Sequence, residues 1–370
     1  MRIGIDAREL QGRPTGVGRY LRNLIGAWTR TTGDSLVLYL NGPAPKDPVL
    51  DHPLVETRAL GDAPTRGLLW QERRLPRAAA RDQLDVFFAP AYSCPLSLGL
   101  PRVTTVHDMS FFSIPDDFTV ADAFRRRLLV GMSLRVSRHV IAVSDFTRRE
   151  VLSHLPDLSG RVTAILHGAD GEASPAPPRE AAREALAIRG PLLVSVGSIL
   201  NRRRLPTLLR AVRLLTKSHP RIVLDVVGEN RTHPLLDLAA LVADLDLQAH
   251  VRLSGFVTEE ELRARYAAAD VAVYLSEYEG FGLPVIEAMA RGLPVVTSAR
   301  AATGELFAGA ALLADPGDAG AVAEAIGQVL DDPARAAALV ASGRALVSRL
   351  TWAKAAAATR DVLLNAAAIR

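Results

Sequence analysis

The chain has 370 residues, 49% of them hydrophobic and 23% charged. That composition excludes disordered and collagen-like classes, and the length suits two domains whose cores need neither disulfides nor metals. Lys+Arg of 44 against Asp+Glu of 40 gives a formal net charge of +4, too small a surplus to mark a nucleic-acid partner.

The charge is uneven. Residues 1–170 hold 22 basic and 18 acidic side chains, whereas residues 171–370 hold 22 of each. Cys94 is the only cysteine, so no internal disulfide can form, which fits a reducing compartment. No Cys/His spacing suits a metal, and no metal site is expected. The start, Met1 to Asp6, lacks the charged and apolar regions of a signal peptide. No apolar run approaches the roughly 20 residues that span a bilayer. A cytoplasmic protein, soluble or peripheral, is expected.

Short Val/Ile/Leu-rich runs alternate with helical stretches from end to end. In the first half they are Arg2–Asp6, Leu36–Leu40, Asp85–Ala89, Val103–His107, Val140–Ser144 and Val162–Leu166. In the second half they are Leu192–Gly197, Val223–Gly228, Val251–Gly255, Val271–Ser276, Pro294–Ser298 and Ala311–Ala314. Runs without polar alternation mark strands covered on both faces, as in parallel sheets built from βαβ units. Between the two series lies Gly171–Arg179, with three prolines in nine residues, which cannot join a helix or a central strand. The expected organisation is an N-terminal domain over 1–172, a linker over 173–190 and a second domain over 191–350. An alanine-rich helix over 351–370 is placed to pack back on the first domain. The fold class is α/β, two doubly wound, Rossmann-like parallel-sheet domains. Ligands of such sheets bind beyond the carboxyl ends of the strands, so the residues just after strands are the candidates.

After the first strand, Thr15-Gly16-Val-Gly18-Arg19-Tyr20 is half of a dinucleotide fingerprint, with Leu21 in place of the third glycine. It reads as a glycine turn approaching some ligand or as plain backbone economy. Trp70–Arg74 reads as an amphipathic surface helix or as a cleft lining. His107, in Val106-His107-Asp108, ends a strand. It can donate a hydrogen bond or shuttle a proton there, or serve as a structural histidine. Arg125–Arg127, with Arg135 and Arg138, reads as a solvated helix face or as a contact for a membrane or acceptor. In the second half, Asn201-Arg202-Arg203-Arg204 follows a strand and suits phosphate recognition by forked, charge-assisted bonds, or a solvated basic turn.

The most specific string is Glu279-Gly280-Phe281-Gly282-Leu283-Pro284-Val285-Ile286-Glu287. Pro284 suits a first helical turn, and the glycines leave N–H groups free for an anion at a helix N-terminus. Carboxylates beside such a site are useful where they bind neutral hydroxyls, as of sugar and ribose.

Glu279 and Glu287 form an E-x7-E motif within E-G-F-G-L-P-V-I-E-A-M-A-R-G-L-P-V. The chain resembles the retaining, nucleotide-sugar-dependent glycosyltransferases of GT-B fold, which include bacterial mannosyltransferases. I-G-I-D-A-R, T-G-V-G-R-Y, V-H-D, V-S-D-F-T-R-R-E and H-G-A-D extend the likeness over nearly the whole chain. The resemblance implies two domains facing across a cleft, the first on the acceptor side and the second holding the donor. It implies that Glu279 contacts the donor sugar and Glu287 the ribose, while Phe281 to Leu283 and the following helix hold the diphosphate. Arg202 and Arg203 also take the diphosphate, Arg203 standing where the family has Lys. His107 orients the sugar, and Gly16 and Gly18 lie beneath the diphosphate or the acceptor. His167, in place of an Asn, receives no role. The reaction implied is transfer of a hexose with retention, without metal or cofactor, the donor being a substrate. The acceptor is a glycan or a lipid-linked acceptor, met in the cytoplasm or peripherally at the inner face of the membrane. The strings favour GDP-mannose, with UDP- and dTDP-sugars as the other donors. A nucleotide-sugar epimerase and a non-catalytic nucleotide-sugar-binding module are the alternatives.

Overall fold

A computed structural model describes residues 1–12, 15–61, 67–169 and 176–368. The chain divides into two units, one of Met1–Pro115, Thr119–Gly171 and Leu350–Arg370, the other of Asp116–Phe118 and Glu172–Arg349.

The first unit holds β1 (Arg2–Asp6), β2 (Ser35–Leu40), β3 (Val55–Ala59), β4 (Val86–Ala89), β5 (Arg102–Val106), β6 (His139–Ala142) and β7 (Val162–Ala164). They pair in parallel in the order β3-β2-β1-β4-β5-β6-β7. Six of these strands coincide with the apolar runs. The edge strand β3 does not, because Val55-Glu-Thr-Arg-Ala59 is mostly polar. Its side chains are tied to the sheet rim instead, with Glu56 bonded to Arg2 and Arg58 paired with Glu56 and Asp82.

The second unit holds β8 (Leu192–Val196), β9 (Val223–Val227), β10 (Val251–Gly255), β11 (Val271–Tyr274), β12 (Val295–Ser298) and β13 (Leu312–Ala314). Their order is β10-β9-β8-β11-β12-β13, again parallel. Leu193, Leu224, Val226, Val271 and Val273 from the strands pack with Leu208, Val212 and Ile326 from covering helices in one core.

In each sheet the strand order reverses once, between β1 and β4 and between β8 and β11, and crevices form outside the carboxyl ends at such points. Of the stretch expected as a linker, residues 173–175 lie outside the described residues. Arg179–Ala185 is helical and tied to the second unit, since Arg179 and Arg183 both pair with Asp270. The C-terminal helix, Trp352–Ala368, lies on the first unit. There Trp28 Nε1 donates to the Ala356 carbonyl at 2.8 Å, and Asp34 receives both Arg360 and the N-terminal ammonium. Among the described residues, no helix is long and apolar enough to cross a membrane.

Candidate active site

In the second unit, the loops after β8 and β11 flank the reversal of strand order, and they bring the arginine and glutamate motifs together. Arg203 Nε stands 3.1 Å and Arg202 Nε 3.7 Å from Glu279 Oε1, all three side chains being largely buried. Ser276 donates from Oγ to the same carboxylate oxygen at 3.2 Å. The Arg203 guanidinium lies over the Tyr274 ring, 4.1 Å from its centroid. A backbone bond from Glu277 N–H to the Arg202 carbonyl, 2.8 Å, staples the two loops to each other. Asp117, from the short segment that belongs to this unit, is 4.0 Å from Arg202. Burial pushes the Asp117 carboxyl up, and Arg202 opposes that. A recess lined by Gly197, Ser198, Arg203 and Tyr274 opens beside this cluster.

Arg204 does not join it. Its backbone is left-handed, φ 47°, which turns the side chain away to Glu277 at 2.6 Å. The three arginines, equal in sequence, are therefore two clamp residues and one loop brace.

The Glu279–Glu287 string folds as its composition requires. Gly282, φ 102°, caps the Leu283–Ala290 helix, and Pro284 occupies its first turn. A Cβ at Gly282 would lie 3.1 Å from both Phe307 and Thr303, so the bend admits only glycine without strain. Phe281 is buried, and Glu287 sits half-buried one turn into the helix. Pro284 has no N–H and the Val285 N–H is bonded to the Gly282 carbonyl at 3.0 Å, so the helix dipole gives this end its partial positive charge.

In the first unit, the site residues gather differently. His107 follows β5, and its Nε2 is 2.7 Å from the Pro90 carbonyl beyond β4. A carbonyl only accepts, so Nε2 carries the proton and Nδ1 of the neutral ring is an acceptor. Enclosure of the ring lowers its pKa, with the Pro90 bond opposing. His167, 2% exposed, stacks on His107 at 5.7 Å between centroids, and burial and then His107 drive its pKa well below the ordinary imidazole value. Tyr20 packs on both rings at 5.0 and 4.8 Å, and Trp352 of the C-terminal helix closes on His167 at 5.7 Å. This aromatic nest was not expected. Its sequence signals are His107 and His167, each just past a strand.

Two expectations need correction. Gly16 and Gly18 do not form a turn ahead of a helix: they open the Gly16–Thr31 helix, and the Gly18 N–H is bonded to its cap, Thr15 Oγ1, at 3.0 Å. Gly18 is required by packing, since a Cβ would come within 2.5 Å of the Glu9 carbonyl. Trp70–Arg74 has two unlike faces: Trp70 is 2% exposed, with Arg8 lying over its ring at 4.8 Å, while Arg73 and Arg74 are exposed. Arg127 leaves the basic patch and turns inward to the Phe111 carbonyl at 2.7 Å.

Comparison with known proteins agrees with both halves. Residues 178–346 match the family "Glycosyl transferases group 1", and residues 14–173 match "Glycosyltransferase Family 4". The O-antigen chain mannosyltransferase B of Escherichia coli is 29% identical over 95% of this chain and 96% of its own. Among solved structures, sucrose-phosphate synthase from Thermosynechococcus elongatus superposes with a TM-score of 0.80 at 23% identity, covering 98% of each chain. Anabaena HepE in complex with UDP-glucose gives 0.74 at 19% identity, over 98% of this chain and 99% of that one. The fold class is GT-B.

Proposed function

The chain belongs to the group 1 glycosyltransferases, and on that premise we propose that it moves a hexose, mannose in first place, from a nucleotide diphosphate sugar to a hydroxyl of a glycan or lipid-linked acceptor. The observation that carries this reading is the Arg202–Arg203–Glu279 cluster beside the glycine-capped helix. Two buried guanidiniums held on one carboxylate are a site prepared for a second, stronger anion. A diphosphate entering there takes Arg202, Arg203 and the helix N–H groups, and Glu279 is released toward the hydroxyls of the sugar. Glu287 takes the ribose.

Transfer follows with retention and without metal. The bond from the anomeric carbon to the diphosphate oxygen breaks, with the charge on the leaving group stabilised by the two arginines. The acceptor hydroxyl attacks from the same face and gives its proton to a diphosphate oxygen. No enzymic nucleophile forms, unlike a double-displacement glycosidase. His107, neutral and with Nδ1 as an acceptor, suits a sugar hydroxyl rather than a charged group. The near full-length likeness to a mannosyltransferase supports mannose and, with it, GDP as the nucleotide.

A thermal-shift panel of GDP, UDP, ADP and dTDP, each with its sugar, tests the donor. GDP and GDP-mannose are expected to raise the midpoint selectively; a shift by UDP or dTDP alone overturns the GDP assignment. Turnover of donor that depends on added glycan acceptor is expected. Donor binding without any such turnover overturns the transferase reading.

A further inference from the structure

The Val120–Val136 helix of the first unit is apolar on two faces. Ala123, Val130 and Leu134 face the core. On the other side Val120, Phe124, Leu128, Met132 and Val136 are 88, 68, 52, 42 and 39% exposed. At about 100° per residue these five fall within roughly 160° of arc, opposite the buried three. A surface helix normally turns polar residues outward, and an outward apolar stripe marks something that covers it.

Charge identifies the cover. Arg125 and Arg135, 64 and 50% exposed, fall within the same arc. Residues 119–161 hold eight arginines against four acidic residues, a surplus of +4 that equals the net charge of the whole chain. The pairs that Arg125 and Arg126 make with Asp122, and Arg135 with Asp157, are exposed, and such pairs exchange readily for phosphate. A second copy joined across a two-fold axis would set this surplus against itself. An anionic lipid surface accepts both the stripe and the arginines.

We propose that this face docks on an anionic bilayer, the helix lying in the plane of the surface. The stripe enters the headgroup boundary, and the arginines extend their heads to the lipid phosphates. The inference rests on exposure and charge alone, and stands or falls apart from the sugar chemistry above.

Sedimentation of the full chain with vesicles tests it, using phosphatidylcholine alone or with about one-third phosphatidylglycerol. Binding is expected to the anionic vesicles only. The triple variant Phe124→Gln/Leu128→Gln/Met132→Gln should bind at least about tenfold more weakly, and Arg125→Gln or Arg135→Gln about fivefold each. Unchanged circular dichroism and thermal midpoint show that the variants fold, because the altered side chains stand in water. Absence of binding to anionic vesicles, equal binding by the triple variant, or equal binding to neutral vesicles overturns the proposal. So does a concentration-dependent dimer that the triple variant abolishes, which would assign the stripe to a second copy.

Discussion

The two units share one topology and differ in what they place at the reversal of strand order. The second unit puts charge there: Arg202 and Arg203 against Glu279, with Tyr274 as a platform. The first gathers neutral rings past its β5 and β7 strands instead: Tyr20 and His167 each touch the three other rings of the set His107, His167, Tyr20 and Trp352. A doubly wound sheet supplies a place, and the loop residues decide whether that place attracts an anion or an uncharged polyol. On the proposed function, one unit is poised for a diphosphate, the other for hydroxyl groups.

The comparison breaks most readily at the charged end. Glu279→Ala is expected to lower acceptor-dependent transfer by about two to three orders of magnitude, and Arg203→Ala by a similar factor. Transfer at the parent rate in either variant would remove the cluster from the chemistry. Arg203→Lys keeps the charge but loses the flat stacking on Tyr274 and the fork toward Glu279. A rise of about tenfold in donor KM is expected, and an unchanged KM would reduce Arg203 to a point charge.

The neutral end is sharpened by pH. His107 and His167 both hold pKa values below the ordinary imidazole value in the folded chain. Above the unfolded pKa, about 6.5, both states are neutral and neither histidine affects stability. As pH falls below it, the unfolded chain takes up protons that the folded nest refuses, so folding loses stability, by at most about 1.4 kcal/mol per pH unit for each histidine. Thermal midpoints between pH 7 and 5 should fall, and His167→Asn should flatten the slope. An identical slope would remove His167 from the enclosed, neutral pair.

The smallest effect belongs to the rim of the first unit. Trp28→Phe deletes the donor to the Ala356 carbonyl and should cost about 1 to 2 kcal/mol in a denaturant titration. A change within error would show that this hydrogen bond adds nothing to the hold on the C-terminal helix.

Most of the architecture is legible along the chain because strands covered on both faces are apolar without interruption. The exception, β3, is an edge strand whose Glu56 and Arg58 are anchored by distant partners, and no local pattern announces that. The charged cluster is legible because its residues occupy two short strings, each after a strand. The neutral nest is not, since its rings come from positions 20, 107, 167 and 352 and meet only through tertiary packing. The apolar stripe of the Val120–Val136 helix is hidden for another reason. A four-residue spacing reads as a core face, whereas the face that is buried there carries the smaller Ala123, Val130 and Leu134.

The return of the last helix to the first unit has a consequence for synthesis. Trp28 waits for Ala356, and Asp34 for Arg360, partners 328 and 326 residues later. A ribosome delivers the second unit entire before it delivers the closing helix of the first. The unit begun earliest is therefore completed only after the second, and until that helix emerges its Trp28 and Asp34 stand without their final cover.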